Sequence, residues 1–144
     1  MSEDQQKLLQ RVYTEQQMTE SNISLLAQRM ELIQAYLNNY QAGLMVLNEI
    51  EGKNEGEEML INVGGSIFIQ ARILEPSKVT RGIGSGVRIE QSLEDAKIAV
   101  QEQLSSLQKQ YDVVIDDYQK LLTRARVLNA QFQELAAKMQ EQED

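Results

Sequence analysis

Residues 92–139 read SLEDAKIAVQEQLSSLQKQYDVVIDDYQKLLTRARVLNAQFQELAAKM, and the spacing of their apolar side chains decides the fold. Leu93, Val100, Leu107, Val114, Leu121, Leu128 and Leu135 recur at every seventh position. Lys97, Leu104, Tyr111, Tyr118, Ala125, Phe132 and Met139 each stand four residues after one of them. A seven-residue repeat keeps one stripe of a helix turned toward a partner helix, so this stretch predicts one strand of a coiled coil. Lys97 is the single polar member, placed to set register or to reach toward the segment that precedes the helix. Ser92-Leu-Glu-Asp95 forms a capping box at its start: the Ser92 hydroxyl can accept from the Asp95 N–H, and Asp95 lies at the positive end of the helix dipole.

Toward the N-terminus lies a second seam of the same kind. Leu9, Val12, Gln16, Thr19, Ile23, Leu26, Met30, Ile33, Leu37, Tyr40, Leu44 and Leu47 step alternately by three and four, interrupted only by Gln16 and Thr19. Both seams predict helices of roughly 70 Å at 1.5 Å per residue. Their matched lengths fit antiparallel pairing, with Leu9 near Phe132, Met30 near Tyr111 and Leu37 near Leu104.

Between the seams the period drops to two, the spacing of strands. Ile61 and Val63 lead into Gly64-Gly65, which is expected to form a two-residue turn, followed by Ile67, Ile69, Ala71 and Ile73 on one face and Phe68, Gln70 and Arg72 on the other. After Glu75-Pro76-Ser77 a second hairpin is expected from Val79, Arg81, Ile83, a Gly84-Ser85 turn, Val87 and Ile89. Gly52 is the expected left-handed cap of the first helix. The fold class is therefore mainly α: a long antiparallel two-helix coiled coil with two β-hairpins inserted between the helices. The divisions are residues 1–52 for the first helix, 53–90 for the loop and hairpins, and 91–144 for the second helix.

Composition agrees with this plan and narrows the function. The 144 residues are 42% hydrophobic but only 5% aromatic, with one Pro, eight Gly and no Trp, a balance suited to long helices rather than to a bulky compact core. A formal charge of -8 disfavours binding to phosphate backbones, and no local basic patch offsets it. The absence of Cys excludes disulfides and thiolate metal sites and fits a reducing, cytoplasmic setting. The first residues, MSEDQQKLLQ, lack the pattern of a signal peptide. The uncharged run 32–48 carries Gln34, Asn38, Asn39 and Gln41, which suit a coiled coil and not a membrane.

Two isolated hairpins with apolar faces are marginal in water and leave unpaired edges. Closing those edges against hairpins of other subunits makes Ile61, Val63, Ile67, Phe68, Ile69, Ile73, Val79, Ile83, Val87 and Ile89 the candidate oligomerisation residues.

At this point the chain resembles an alpha-type prefoldin subunit over nearly its whole length. The likeness rests on Asn62-Val-Gly-Gly-Ser-Ile-Phe-Ile-Gln-Ala71, on Lys78-Val-Thr80, and on Gly82-Ile-Gly-Ser-Gly-Val-Arg-Ile-Glu90, which runs into the second helix. Two hairpins point to the alpha class, since the beta class has one. The resemblance implies a complex of two alpha and four beta-type subunits, joined through a double barrel of hairpins. It also implies an ATP-independent holdase that captures non-native client proteins at the distal coiled-coil ends and passes them to a group II chaperonin, with no cofactor. In an antiparallel pair those ends bring together Leu8, Leu9, Val12, Leu128, Phe132, Leu135 and Met139, the candidate client-binding residues. Glu134, Glu141, Glu143 and Asp144 flank them and favour solubility of the empty end.

Competing readings are weaker. Val12 and Leu128 read more readily as ordinary seam positions than as client contacts, whereas Phe132, Leu135 and Met139 fit either role equally. Gly82-Ile-Gly-Ser-Gly86 lacks the Lys and the context of a phosphate loop. Asp112, Asp116 and Asp117 fall mostly off the seam and read as a solvated face. No catalytic constellation and no metal site is expected, with neither His nor Cys present. A structural scaffold or tether binding one fixed helical partner is the alternative function, against which the four strands argue.

Overall fold

The computed structural model describes residues 2–143. Asp144, counted above among the acidic residues, lies outside them. The element order is α1 (Glu3–Glu51), β1 (Glu58–Gly64), β2 (Ile67–Arg72), β3 (Lys78–Gly84), β4 (Val87–Ser92) and α2 (Leu93–Glu143). The chain divides into two compact units, one of Met1–Gln34 with Lys109–Asp144 and one of Ala35–Gln108.

In the first unit α1 and α2 run antiparallel. Tyr13 meets Phe132, and two residues further along α1 Glu15 meets Arg124, eight residues earlier in α2. The core here is Val12, Thr19, Ile33, Val114 and Leu128, all buried, with Leu128 wholly so. None of the seam positions named from the sequence is exposed, because a seven-residue spacing holds each of them toward the other helix. Each buried Leu or Val contributes on the order of 1.5–3 kcal/mol.

Capping follows the sequence at one helix start and extends it at the other. The Asp95 N–H donates to Ser92 Oγ at 3.1 Å, as the capping box predicts. The Gln5 N–H donates in the same way to Ser2 Oγ at 3.2 Å, a Ser-x-x-Gln start that lies ahead of the seven-residue stripe. At its other end α1 closes with short i→i+3 bonds, Gly52 N–H to the Glu49 carbonyl and Lys53 N–H to that of Ile50. Gly52 is not left-handed; Gly56, at φ +80°, makes the reversal instead. The expected left-handed cap at Gly52 is thus absent: the helix closes by tightening, and Gly56 belongs to the separate turn in which the Glu57 N–H donates to the Asn54 carbonyl.

The second unit carries the hairpins, each a separate antiparallel two-stranded sheet. β1 pairs with β2 through Glu58↔Arg72, Met59↔Ala71, Leu60↔Gln70, Ile61↔Ile69, Asn62↔Phe68 and Gly64↔Ile67. The irregularity between Asn62 and Gly64 makes Val63 an extra, bulged residue. The loop is therefore Gly65-Ser66, with φ of 60° at both positions, as a type I′ turn requires. This corrects the expected Gly64-Gly65 turn by one residue. The second hairpin makes the same correction: Gly84 pairs with Val87, so Ser85-Gly86 is the loop rather than Gly84-Ser85, again with positive φ at both positions. Asn62 Oδ1 accepts from the Gly64 N–H at 2.9 Å and holds the first bulge.

The two hairpins repeat one another position for position. Each pair in β1–β2 has its counterpart twenty residues on in β3–β4: Met59↔Ala71 becomes Val79↔Gln91, Ile61↔Ile69 becomes Arg81↔Ile89, and the bulge and the two-residue loop recur in place. Their backbones agree where their side chains do not, so the residues alone did not reveal the duplication.

Candidate functional site

The candidate residues fall into two sets. At the free helix ends of the first unit, Val12 and Leu128 are among the most buried side chains of the protein. They belong to the closed seam and become available only if it opens. Leu9, Phe132, Leu135 and Met139 are half-buried, and Leu8 is exposed. Leu8, Val12, Gln131, Glu134, Leu135 and Lys138 line an open groove of about 230 Å³, which sets three apolar side chains beside an amide, an acid and a base. Lys138 reaches back to Glu134 at 3.4 Å, an exposed pair that favours solubility.

One residue of this end escaped the seam analysis. Tyr13 stacks on Phe132 with ring centroids 6.2 Å apart and planes inclined by 44°, while half of its surface stays open. It lies one position beyond Val12, outside the seven-residue stripe. Its signal in the sequence is an aromatic residue flanking a seam position, where a large side chain can lean over the interface.

The hairpin set is open to a different degree. Val63, Ile67, Phe68, Ile69, Ile83 and Val87 are exposed, while Ile61, Ile73, Val79 and Ile89 are half-buried. Two apolar residues join them unannounced. Leu60 is exposed on the face it shares with Gln70 and Phe68, and Met59 is buried on the opposite face beside Ala71. Contiguous exposed Ile, Val and Phe on a sheet with unpaired edges form a surface suited to another protein. Hairpin β1–β2 presents apolar residues on both faces, whereas the second face of β3–β4 carries Thr80, Arg88 and Glu90.

Lys97, the polar seam residue, forms an ion pair with Glu51 and is the better shielded partner of the two. It ties the start of α2 to the end of α1 within the second unit. Of the acidic residues on α2, Asp116 binds Lys120 at 2.9 Å along one helix turn, and that hydrogen bond, with the nearby charge, raises the Lys120 pKa above its ordinary value. Among the described residues no group of three or more His, Cys, Asp or Glu is placed to hold a metal ion, and no helix is long and apolar enough to cross a membrane.

Comparison with known proteins agrees with this architecture. The chain is 28% identical over 113 residues to the prefoldin subunit alpha of Methanobrevibacter smithii, covering 78% of this chain and 77% of that one. It is 26% identical over 135 residues to the prefoldin subunit alpha of Methanococcus aeolicus, covering 94% and 90%. The prefoldin beta subunit of Thermococcus strain KS-1 has the same fold, with a TM-score of 0.58 over 88% of this chain and 90% of that one at 16% identity. The family model described as Prefoldin subunit matches residues 19–138: with its paired seams and doubled hairpin, this chain belongs to the prefoldin subunit family, whose members are components of chaperones.

Proposed function

We propose that this chain is the alpha-type subunit of a cytoplasmic, ATP-independent holdase. Its hairpins join beta-type subunits in a complex of two alpha and four beta. Its free helix ends hold non-native proteins until they pass to a group II chaperonin. The observation that carries this reading is the groove at the helix ends, where Leu8 stays open beside Leu135 and Val12, next to a seam that weakens at Gln16 and Thr19. Local opening there costs less than at Ile33, where the seam is apolar throughout. Leu and Met side chains adapt to irregular apolar clients, so Leu8, Leu9, Leu135 and Met139 provide contact without demanding one sequence. Val12, Leu128 and Phe132 join them when the seam frays.

The hairpins support the assembly half of the reading. Their exposed Val63, Ile67, Phe68, Ile83 and Val87 are costly to leave in water, and equivalent strands from neighbours would cover them and remove the open edges. The test is suppression of light scattering by a denatured client. The assembled full-length chain should suppress aggregation of several unrelated clients, and an assembly lacking residues 1–12 and 129–144 should not. Equal suppression by both would remove the helix ends from the site, and protection of one stoichiometric partner alone would favour a scaffold.

A further inference from the structure

On one face the doubled hairpin differs at two positions that replace an apolar side chain by a polar one. On the face where β1–β2 carries Met59, Ile61, Ile69 and Ala71, β3–β4 carries Val79, Arg81, Ile89 and Gln91. Arg81 stands in for Ile61 and Gln91 for Ala71. Cross-strand pairs share a face, so a permanent cation and an amide lie within an otherwise apolar surface. Arg81 Nε and Gln91 Oε1 are both buried, and neither has a hydrogen-bond partner among the described residues. An arginine cannot shed its charge to relieve this, and a buried donor or acceptor left unmet is costly.

Among the described residues no acid forms an ion pair with Arg81. Glu58 faces the other side of its hairpin and binds Arg72 at 3.3 Å, while Glu90 lies opposite Thr80, also on the other side. The paired positions on this face carry no carboxylate in either hairpin: Met59, Ile61, Ile69 and Ala71 in one, Val79, Arg81, Ile89 and Gln91 in the other.

We infer that β3–β4 docks against the hairpin of a different subunit that presents an Asp or Glu on its apolar face, and that Arg81 selects this partner over a second copy of the chain. The inference rests on the reading of the hairpins as assembly elements. A carboxylate fits the guanidinium fork and its charge, and Gln91 Oε1 is left to accept from a donor on the same partner. The surrounding Val79, Ile83 and Ile89 supply apolar contact that favours any neighbour, so discrimination falls to the charged residue.

The experiment is native mass spectrometry with affinity titration of the wild-type chain and Arg81→Met, each alone and with the beta-type prefoldin subunit of the same organism. Far-UV circular dichroism checks that both keep their helices. Wild type is expected to bind the beta-type subunit in strong preference to itself. Arg81→Met should lose at least about tenfold in affinity for that subunit and gain at least about tenfold in self-association. Changing one Asp or Glu of the partner's hairpin to its amide should weaken wild type and leave Arg81→Met unaffected. The inference is overturned if Arg81→Met binds the beta-type subunit as tightly as wild type does, or if wild type self-associates as readily as it binds that subunit. If neither chain forms any complex through residues 58–92, the assembly reading itself falls and takes this inference with it.

Discussion

Arg124 donates from both Nε and Nη2 to a single oxygen of Glu15, at 3.0 and 2.6 Å, and so ties α2 to α1 at the point where the seam carries Gln16 and Thr19. The pair is nearly half exposed, so water screens it and its contribution is small. A double-mutant cycle of Glu15→Gln and Arg124→Gln, followed by urea unfolding, should give a coupling of about 0.5 kcal/mol that shrinks as salt is raised. Its value lies in fixing which residues of the two helices face one another.

Among the described residues, Leu128 is the one large side chain wholly removed from solvent. Leu128→Ala should destabilise the helix pair by about 2–5 kcal/mol through lost burial and the void it leaves. Val127→Ala, one residue away and facing largely outward, should change stability by less than about 0.5 kcal/mol. Thermal unfolding followed by circular dichroism distinguishes the two.

The same seam offers a test of how clients gain access. Gln16→Leu with Thr19→Val replaces two polar seam residues by apolar ones, and Thr19 is already buried. The double variant should be more stable by about 1 kcal/mol. If clients enter by fraying of the helix ends, it should also suppress aggregation less well than wild type at equal concentration. A more stable chain with undiminished suppression would show that the seam residues need not open.

Gly64 and Gly84 hold φ of 99° and 112° at the two bulges. A Cβ added at either would meet nothing within 4 Å, so the cost of substitution is in the backbone alone, about 1–2 kcal/mol. Gly64→Val and Gly84→Val should raise the dissociation constant of the assembled complex while leaving helical circular dichroism unchanged. Gly43→Ala, in the interior of α1 and with equally open space, should instead stabilise the helix by up to about 1 kcal/mol.

The long seams were legible because one spacing repeats through both helices, so no single polar residue such as Lys97 obscures it. The hairpin turns were harder to read. Gly64, Gly65 and Ser66 all take positive φ, and once Val63 bulges the two-residue loop shifts by one, a choice the run Val-Gly-Gly-Ser does not announce. Gly52 misled for a similar reason: a glycine after a helix permits a left-handed cap but does not require one. Tyr13 became visible only in three dimensions, since an aromatic ring beside a stripe matches no period, whereas Met59 extends the two-residue alternation of Ile61 by one step toward the strand start. At the helix ends, burial divides residues that the sequence grouped together, with Val12 and Leu128 closed and Leu8 open.

The near-copy of one hairpin by the other gives this chain a direction. Two connectors of identical backbone would ordinarily be interchangeable, and a neighbour could attach to either. Here one is oily on both sides and the other is greasy on one side, with a cation set into that side. In the proposed assembly, a neighbour shaped to fit one hairpin therefore does not fit the other.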